Sequence, residues 1–164
     1  MIIDNAYGGP DQAERRSRLE TLVGKLRGAG YRLTPQRQAV LEALVFSERH
    51  PGAEELYRQV QVAHPSMSRA TVYKTLDMLR ELGEVLELEF RDGSNPANRY
   101  DGLRPYSHPH LVCTVCGAIE DVLVDPLRGP MEQLLESTGY ELDRYRLDLY
   151  GRCPQCRESD RTTG

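Results

Sequence analysis

Apolar residues recur at every third or fourth position in four segments of the first half of the chain, which predicts four amphipathic helices. The apolar positions are Leu19, Leu22, Val23 and Leu26, then Val40, Leu41, Leu44 and Val45, then Leu56 and Val60, and finally Val72, Leu76 and Leu79. Thr34 and Ser68 stand where side-chain oxygens commonly begin a helix. Gly28, Pro65 and Gly83 stand where glycine or proline commonly ends one.

Partial alternation of apolar and polar residues after the fourth helix predicts a β-hairpin, with strands at 85–90 and 98–101 around a turn at 91–96. Helix, helix, short turn, helix and hairpin is the order of a winged helix-turn-helix. A small helical domain with an incidental hairpin is the alternative. DNA binding is favoured because polar side chains are expected on the outer face of the fourth helix. They are Arg69, Thr71, Tyr73 and Lys74.

The second half of the chain reads as strand, strand, helix and strand, at about 108–113, 119–124, 126–137 and 140–150. The predicted fold class is α+β, with an N-terminal winged helix followed by a small α/β dimerisation domain. We expect an extension at 1–17, a DNA-binding domain at 18–101 and a dimerisation and metal-binding domain at 102–160. The last domain is short, so a metal ion or a second subunit is expected to stabilise it.

Composition and charge narrow the class of protein. The chain has 164 residues, of which 39% are hydrophobic and 28% charged, which is typical of a globular protein and not of a collagen or a disordered tail. The start lacks the basic, apolar pattern of a secretory signal, and no stretch is apolar enough to span a bilayer. We therefore expect a cytoplasmic protein without a membrane partner. The net negative charge is concentrated after residue 87, where the sequence has 13 acidic and 9 basic residues.

The four cysteines form two C-x-x-C pairs, Cys113/Cys116 and Cys153/Cys156, with 36 residues between them. Two such turns supply four thiolates in a tetrahedron, which suits Zn²⁺ and leaves no open coordination position. The sequence therefore predicts a structural zinc site rather than a catalytic one. A dithiol redox pair is the alternative, but such motifs usually occur once, between a strand and a helix.

A second group of residues has nitrogen and oxygen ligands only. His108 and His110 are two apart on a predicted strand, so their rings share one side of it. Asp101, Asp121 and His50 are candidates to complete the site, which would suit Fe(II) or Mn(II), and sometimes Zn(II). If ligands come from both halves of the chain, a bound ion would fix the angle between the two halves. Metal binding would then favour one geometry over another and act as a switch. The remaining histidine, His64, is interpreted as a residue at a helix C-terminus.

Six motifs in order, from about residue 19 to 156, resemble the ferric uptake regulator (Fur) family. They are TPQRQAVL, HPGAEELY, SRATVYKTL, NRYDG, HPHLVCTVCG and LYGRCPQC. The resemblance implies a dimeric, metal-dependent winged-helix repressor. It places the structural zinc on the four cysteines, the regulatory metal on the three histidines and two aspartates named above, and the recognition helix around Tyr73.

The aspartates at 101 and 121 are similar to those of the peroxide-stress repressor branch of this family. The family's additional histidine-rich site is not expected, because Ser107, Pro109 and Tyr145 stand at its positions. The resemblance implies that bound Fe(II) reduces peroxide and that the oxidant attacks His50 or His108, which releases DNA. An iron- or manganese-responsive repressor of metal-uptake genes, without peroxide sensing, is the alternative.

The sequence disfavours two other classes of function. A metal hydrolase needs a positioned acid or base beside an open metal site, and the sequence offers no further candidate. A zinc-stabilised interaction module would leave the His/Asp group unexplained. We therefore expect no enzymatic activity and no small-molecule substrate, and we expect a homodimer that binds a double-stranded DNA operator.

Overall fold

The computed structural model describes residues 11–89, 98–122 and 128–162. The chain divides into two compact units, and the division lies between Tyr106 and Ser107, five residues beyond the predicted domain boundary at 101. The first unit contains the predicted winged helix and the second contains the four cysteines. Within the described residues, no helix has both the length and the apolar character needed to cross a membrane.

The described residues of the first unit form four helices, as predicted. They are α1 (Gln12–Gly28), α2 (Pro35–Val45), α3 (Ala53–Ala63) and α4 (Arg69–Glu81). The side chains of Asp11, Thr34 and Ser68 accept the backbone N–H three residues later and so begin α1, α2 and α4. The apolar positions predicted to face inward are buried in one core, with Leu19 and Val23 packed partly exposed against it.

The predicted extension at 1–17 is wrong in its second part, because α1 begins at Gln12. Arg15 is buried, and its guanidinium donates to the backbone oxygens of Val45, the last residue of α2, and of Ser47 beyond it. These bonds hold the start of α1 against the helical core. The pattern of apolar residues cannot predict them, because the donor is an arginine side chain and the acceptors are backbone oxygens. Residues 1–10 lie outside the described part of the chain.

The wing of the winged helix is a two-stranded antiparallel sheet. Strand β1 (Leu86–Leu88) pairs with β2 (Arg99–Asp101), and Leu86 lies opposite Asp101. The predicted hairpin is confirmed in these strands, although the turn predicted at 91–96 lies outside the described residues.

In the second unit, residues 107–122 and 128–162 form a three-stranded sheet and two helices. Its elements are β3 (His110–Cys113), β4 (Ile119–Asp121), α5 (Arg128–Thr138), β5 (Asp148–Gly151) and α6 (Pro154–Thr162). The strand order is β4-β3-β5; β3 pairs antiparallel with β4 and parallel with β5. The α+β fold and the order strand, strand, helix, strand are confirmed.

Two details of the second unit differ from the sequence prediction. The last strand begins at Asp148 rather than at 140, because β3 supplies only four residues for it to pair with. Helix α6 was not predicted, since it lacks an apolar stripe. Its signal is Pro154, a residue favoured at the first position of a helix.

Candidate metal centres

The sheet of the second unit brings the two cysteine pairs together. Cys113 ends β3 beside Gly151 at the end of β5, while Cys153 and Cys156 lie at the start of α6. The four Sγ atoms lie within 4.8 Å of one another, and the Cys116 and Cys153 Sγ atoms are 3.8 Å apart. All four cysteines are free thiols. A tetrahedral zinc site with Zn–S bonds of about 2.3 Å has edges of about 3.8 Å, so the arrangement fits Zn²⁺.

Local hydrogen bonds prepare one of these thiols for ionisation. The backbone N–H groups of Cys116, Cys153 and Val115 point at Cys113 Sγ and lower the pKa of Cys113 to about 6. The side-chain hydrogen bond with Cys153, together with burial, raises the pKa of Cys156 to about 12. Zinc requires all four as thiolates, so metal binding must displace the remaining protons.

The second unit also holds three of the predicted regulatory ligands. His110 on β3 lies opposite Asp121 on β4, and His108 lies two residues before His110, the first residue of β3. Asp121 Oδ1 is 3.1 Å from His108 Nε2 and 3.8 Å from His110 Nε2. The two rings lie 4.4 Å apart between centroids, and both are almost fully buried. Two imidazoles therefore share one carboxylate oxygen.

The other ring nitrogen of His110 faces a carboxylate that sequence reasoning did not select. Its Nδ1 lies 3.6 Å from Oδ1 of Asp148 on β5. Arg146 Nε donates to Asp148 Oδ2 over 2.6 Å. Only the parallel pairing of β3 with β5, in which His110 lies opposite Asp148, brings these residues together.

The first unit holds the other two predicted regulatory ligands. His50 Nε2 lies 3.7 Å from Asp101 Oδ2, and both side chains are buried. Tyr100 N donates to Pro51 O over 3.0 Å, which holds the segment after His50 against β2. Asp101 Oδ1 accepts the backbone N–H groups of residues 103 and 104, at 2.8 and 3.0 Å, so Oδ2 is the oxygen directed at His50.

The described donor atoms suit a divalent ion of intermediate or hard character. Three imidazoles and two carboxylates, without a thiol, are ligands that Fe(II), Mn(II) and Zn(II) accept. The residues present therefore fit the metal that the sequence predicts. They fall into two groups, His50 with Asp101 in one unit, and His108, His110 and Asp121 in the other.

The four predicted DNA contacts lie on α4 and differ in their surroundings. Tyr73 is 43% exposed and Lys74 is exposed, whereas Val72 and Leu76 on the other face are buried. Thr71 is partly buried, and its hydroxyl shares a hydrogen bond with Ser68.

Arg69, the fourth, is exposed but already engaged within the first unit. Its Nε donates to both carboxylate oxygens of Glu54, at 3.0 and 3.1 Å, and its guanidinium lies 4.5 Å from the ring centre of Tyr57. Any contact of Arg69 with a phosphate must compete with this ion pair.

Comparison with known proteins gives consistent results in sequence and in fold. The sequence profile of the ferric uptake regulator family matches residues 28–150. The peroxide-responsive repressor of Staphylococcus epidermidis is 37% identical over 141 residues, which is 85% of this chain and 91% of that protein.

Three solved structures are similar in fold. The ferric uptake regulator of Helicobacter pylori superposes with a TM-score of 0.72 at 24% identity, covering 89% of this chain and 95% of that one. A zinc-bound manganese uptake regulator gives 0.65 at 30% identity, with 83% and 98% covered. A zinc uptake regulator in complex with zinc and DNA gives 0.64 at 25% identity, with 90% and 97% covered. The chain therefore belongs to the ferric uptake regulator family.

Proposed function

We propose that the chain is a metal-dependent transcriptional repressor that binds a DNA operator as a homodimer and releases it on exposure to peroxide. Its structural zinc is held by Cys113, Cys116, Cys153 and Cys156. Membership of the ferric uptake regulator family supports the repressor function. The likeness to a zinc uptake regulator in complex with DNA supports DNA binding, and α4 supplies Tyr73 and Lys74 on an exposed face.

The regulatory metal is proposed to bind His50, Asp101, His108, His110 and Asp121. The observation that carries this proposal is a carboxylate oxygen directed at a histidine nitrogen in each unit, at 3.7 Å in the first and 3.1 Å in the second. Because the two ligand groups belong to different units, an ion that binds both restricts the freedom of one unit relative to the other. The operator-binding geometry then depends on the metal.

Peroxide sensing is the finer part of the proposal. Fe(II), when bound, would supply the redox chemistry that splits peroxide at this site. The proposed targets are the rings of His50 and His108; in the net reaction, one oxygen atom of the peroxide would be added to an imidazole carbon and the other would leave as water. The oxidised ring would be a weaker ligand. Aspartate at both carboxylate positions and 37% identity to a peroxide-responsive repressor support this reading.

A repressor of metal-uptake genes without peroxide sensing is the second candidate. It is favoured by the 30% identity to a manganese uptake regulator over most of the chain. This candidate uses the same five ligands and differs only in what happens to the histidines after exposure to peroxide.

The test is an anaerobic gel-shift with an operator selected from a random duplex pool by the Mn(II)-loaded protein. The full chain is loaded with Fe(II) or Mn(II) and assayed before and after a brief peroxide pulse. We expect only the Fe(II) form to release DNA, and only its His50 or His108 peptide to gain the mass of one oxygen atom. We also expect DNA affinity to fall steeply with added salt.

Variants separate the metal site from the rest of the chain. His50→Ala should abolish metal-dependent DNA binding, whereas His64→Ala, at the end of α3, should leave it intact. If the Fe(II) form stays bound and neither peptide changes mass, peroxide sensing is wrong and the uptake-repressor candidate replaces it. If DNA binding is indifferent to Fe(II) and Mn(II), the metal-dependent function itself is wrong.

A further inference from the structure

His110 lies between two carboxylates, one at each ring nitrogen. Asp121 Oδ1 is 3.8 Å from Nε2, and Asp148 Oδ1 is 3.6 Å from Nδ1. All three side chains are largely buried, with 1%, 14% and 9% of their surface exposed. The sheet register explains the arrangement, because His110 is the strand partner of both aspartates. Directly opposed residues in neighbouring strands project to the same face of a sheet.

The two nitrogens of a neutral imidazole have different roles. One carries a proton and donates a hydrogen bond, and the other has the lone pair that a metal needs. A carboxylate beside one nitrogen favours the proton there and directs the lone pair through the opposite nitrogen. Both nitrogens of His110 face a carboxylate, but Asp121 Oδ1 lies closer to His108 Nε2, at 3.1 Å, than to His110 Nε2, at 3.8 Å. Asp148 Oδ1 is the nearer carboxylate oxygen to His110, at 3.6 Å from Nδ1. This geometry favours the proton on Nδ1 and the lone pair on Nε2.

Asp148 is in turn held by Arg146. The Arg146 Nε donates to Asp148 Oδ2 over 2.6 Å, which leaves Oδ1 for the histidine ring. The Arg146 side chain is 43% exposed, whereas that of Asp148 is 9% exposed, so the ion pair lies at the rim of the sheet with its acidic end inside. This contact fixes the carboxylate plane relative to His110.

We propose that Asp148 is a positioning residue for the regulatory metal site, which holds His110 in the Nδ1-protonated tautomer and so presents Nε2 to the ion. The proposal rests on the regulatory site proposed above. Asp148 is not itself a ligand in this reading, because the two imidazole nitrogens point in diverging directions and Asp148 lies at the one opposite to Asp121. Removal of such an outer carboxylate typically lowers metal affinity about 10–100-fold.

The first experiment is Mn(II) titration of the full-length, zinc-loaded chain, with free Mn(II) followed by electron paramagnetic resonance. We expect Asp148→Asn to weaken binding about 10–100-fold and Arg146→Ala to weaken it less. The matched control, Asp143→Asn, changes an exposed aspartate in the same segment and should bind as the unmodified chain does. Zinc content should stay unchanged in every variant, because the cysteine site does not use Asp148.

The second experiment reads the tautomer directly and needs no regulatory metal. Nitrogen NMR of the histidine-labelled, zinc-loaded chain is recorded at about pH 8, where a free imidazole is neutral, with His110 assigned from a His110→Gln variant. We expect the proton on Nδ1 in the unmodified chain, and a mixture of tautomers in Asp148→Asn. A purely structural role for Asp148 does not specify which nitrogen carries the proton.

The outcomes separate the two proposals. Equal Mn(II) affinity in Asp148→Asn and the unmodified chain, or a proton on Nε2 of the unmodified His110, overturns the positioning role and leaves the regulatory site standing. Mn(II) binding that survives His110→Gln overturns the regulatory site and the positioning role together. If Asp148→Asn loses zinc or fails to fold, the tautomer of His110 in the unmodified chain still tests the positioning role of Asp148.

Discussion

One buried carboxylate connects α1 with the wing, and its removal is a sharp test of how the first unit is held together. Glu84 lies just before β1, and its side chain is only 7% exposed. Arg18 Nη1 donates to it over 2.9 Å and Lys25 Nζ over 2.5 Å. Arg18 also donates to the backbone oxygen of Gly102, next to the proposed ligand Asp101. The perturbation is Glu84→Gln, which keeps the shape and removes the charge.

The expected loss of stability comes mainly from Arg18. Its side chain is 11% exposed, so its bond to Glu84 is buried at both ends and, as a charge-assisted bond, contributes about 1.5–3 kcal/mol. The Lys25 side chain is 55% exposed, so solvent screens it and its share is below about 1 kcal/mol. Glutamine still accepts one hydrogen bond. We therefore expect the free energy of unfolding to fall by about 2 kcal/mol at pH 7.

The effect should depend on pH in a defined direction. Burial opposes ionisation of Glu84, but the hydrogen bonds and charges of Lys25 and Arg18 outweigh it and hold the pKa of Glu84 below its ordinary value near 4.5. A lowered pKa in the folded state stabilises the fold above that ordinary value, and this stabilisation disappears as the pH falls through the folded pKa. The difference between the unmodified chain and Glu84→Gln should thus shrink in acid.

The assay is urea unfolding of the full chain followed by far-ultraviolet circular dichroism, at pH 7 and at steps into acid. The control is Glu81→Gln, an exposed glutamate near the end of α4, which should unfold at the midpoint of the unmodified chain. Zinc release in acid affects all variants alike and cancels in the difference. Equal midpoints at pH 7, or a deficit that persists unchanged in acid, would refute the ion-pair reasoning.

Three further predictions concern the two metal centres and α4. Gly102→Ala places a Cβ atom 2.5 Å from Leu44 Cγ, so we expect a loss of about 1–3 kcal/mol in urea unfolding and weaker Mn(II) binding, with zinc retained. Cys156→Ser should lower the zinc content measured by native mass spectrometry and the melting temperature, because a tetrahedral site loses one of its four thiolates. Lys74→Ala should weaken DNA binding and reduce the salt slope by about one per subunit, whereas Tyr73→Ala should weaken binding without changing the slope.

Local signals were sufficient to predict helices α1 to α5 and the cysteine cluster. Thr34 and Ser68 cap the helices they were predicted to begin, because capping depends on residues three positions apart. The spacing within each C-x-x-C pair is likewise a local signal, since the turn places its two thiols on the same side. The winged helix followed from the order of elements, which the chain itself fixes.

The structure differs from the sequence prediction where an element depends on residues distant in the chain. Residues 140–147 alternate like a strand, yet β5 begins at Asp148, because a strand needs a partner and β3 is only four residues long. The sequence pattern predicts Arg15 in the extension at 1–17, although the backbone oxygen of Val45, at the end of α2, accepts its guanidinium across 30 positions of sequence. Neither the length of the partner strand nor the distant acceptors of Arg15 can be deduced from neighbouring residues in the sequence.

The sequence by itself determined which residues are candidates for the chemistry: four cysteines in two turns, three histidines and two aspartates, at spacings along the chain that no fold changes. The tertiary structure decided which of their atoms face one another. Asp148 became relevant only because a parallel strand pair sets it opposite His110, and Arg18 and Glu84 met only because the fold of the first unit brings α1 beside the residues that flank the wing. The physical reason is that residue type and short-range spacing are properties of the chain, whereas register and burial arise when distant segments pack.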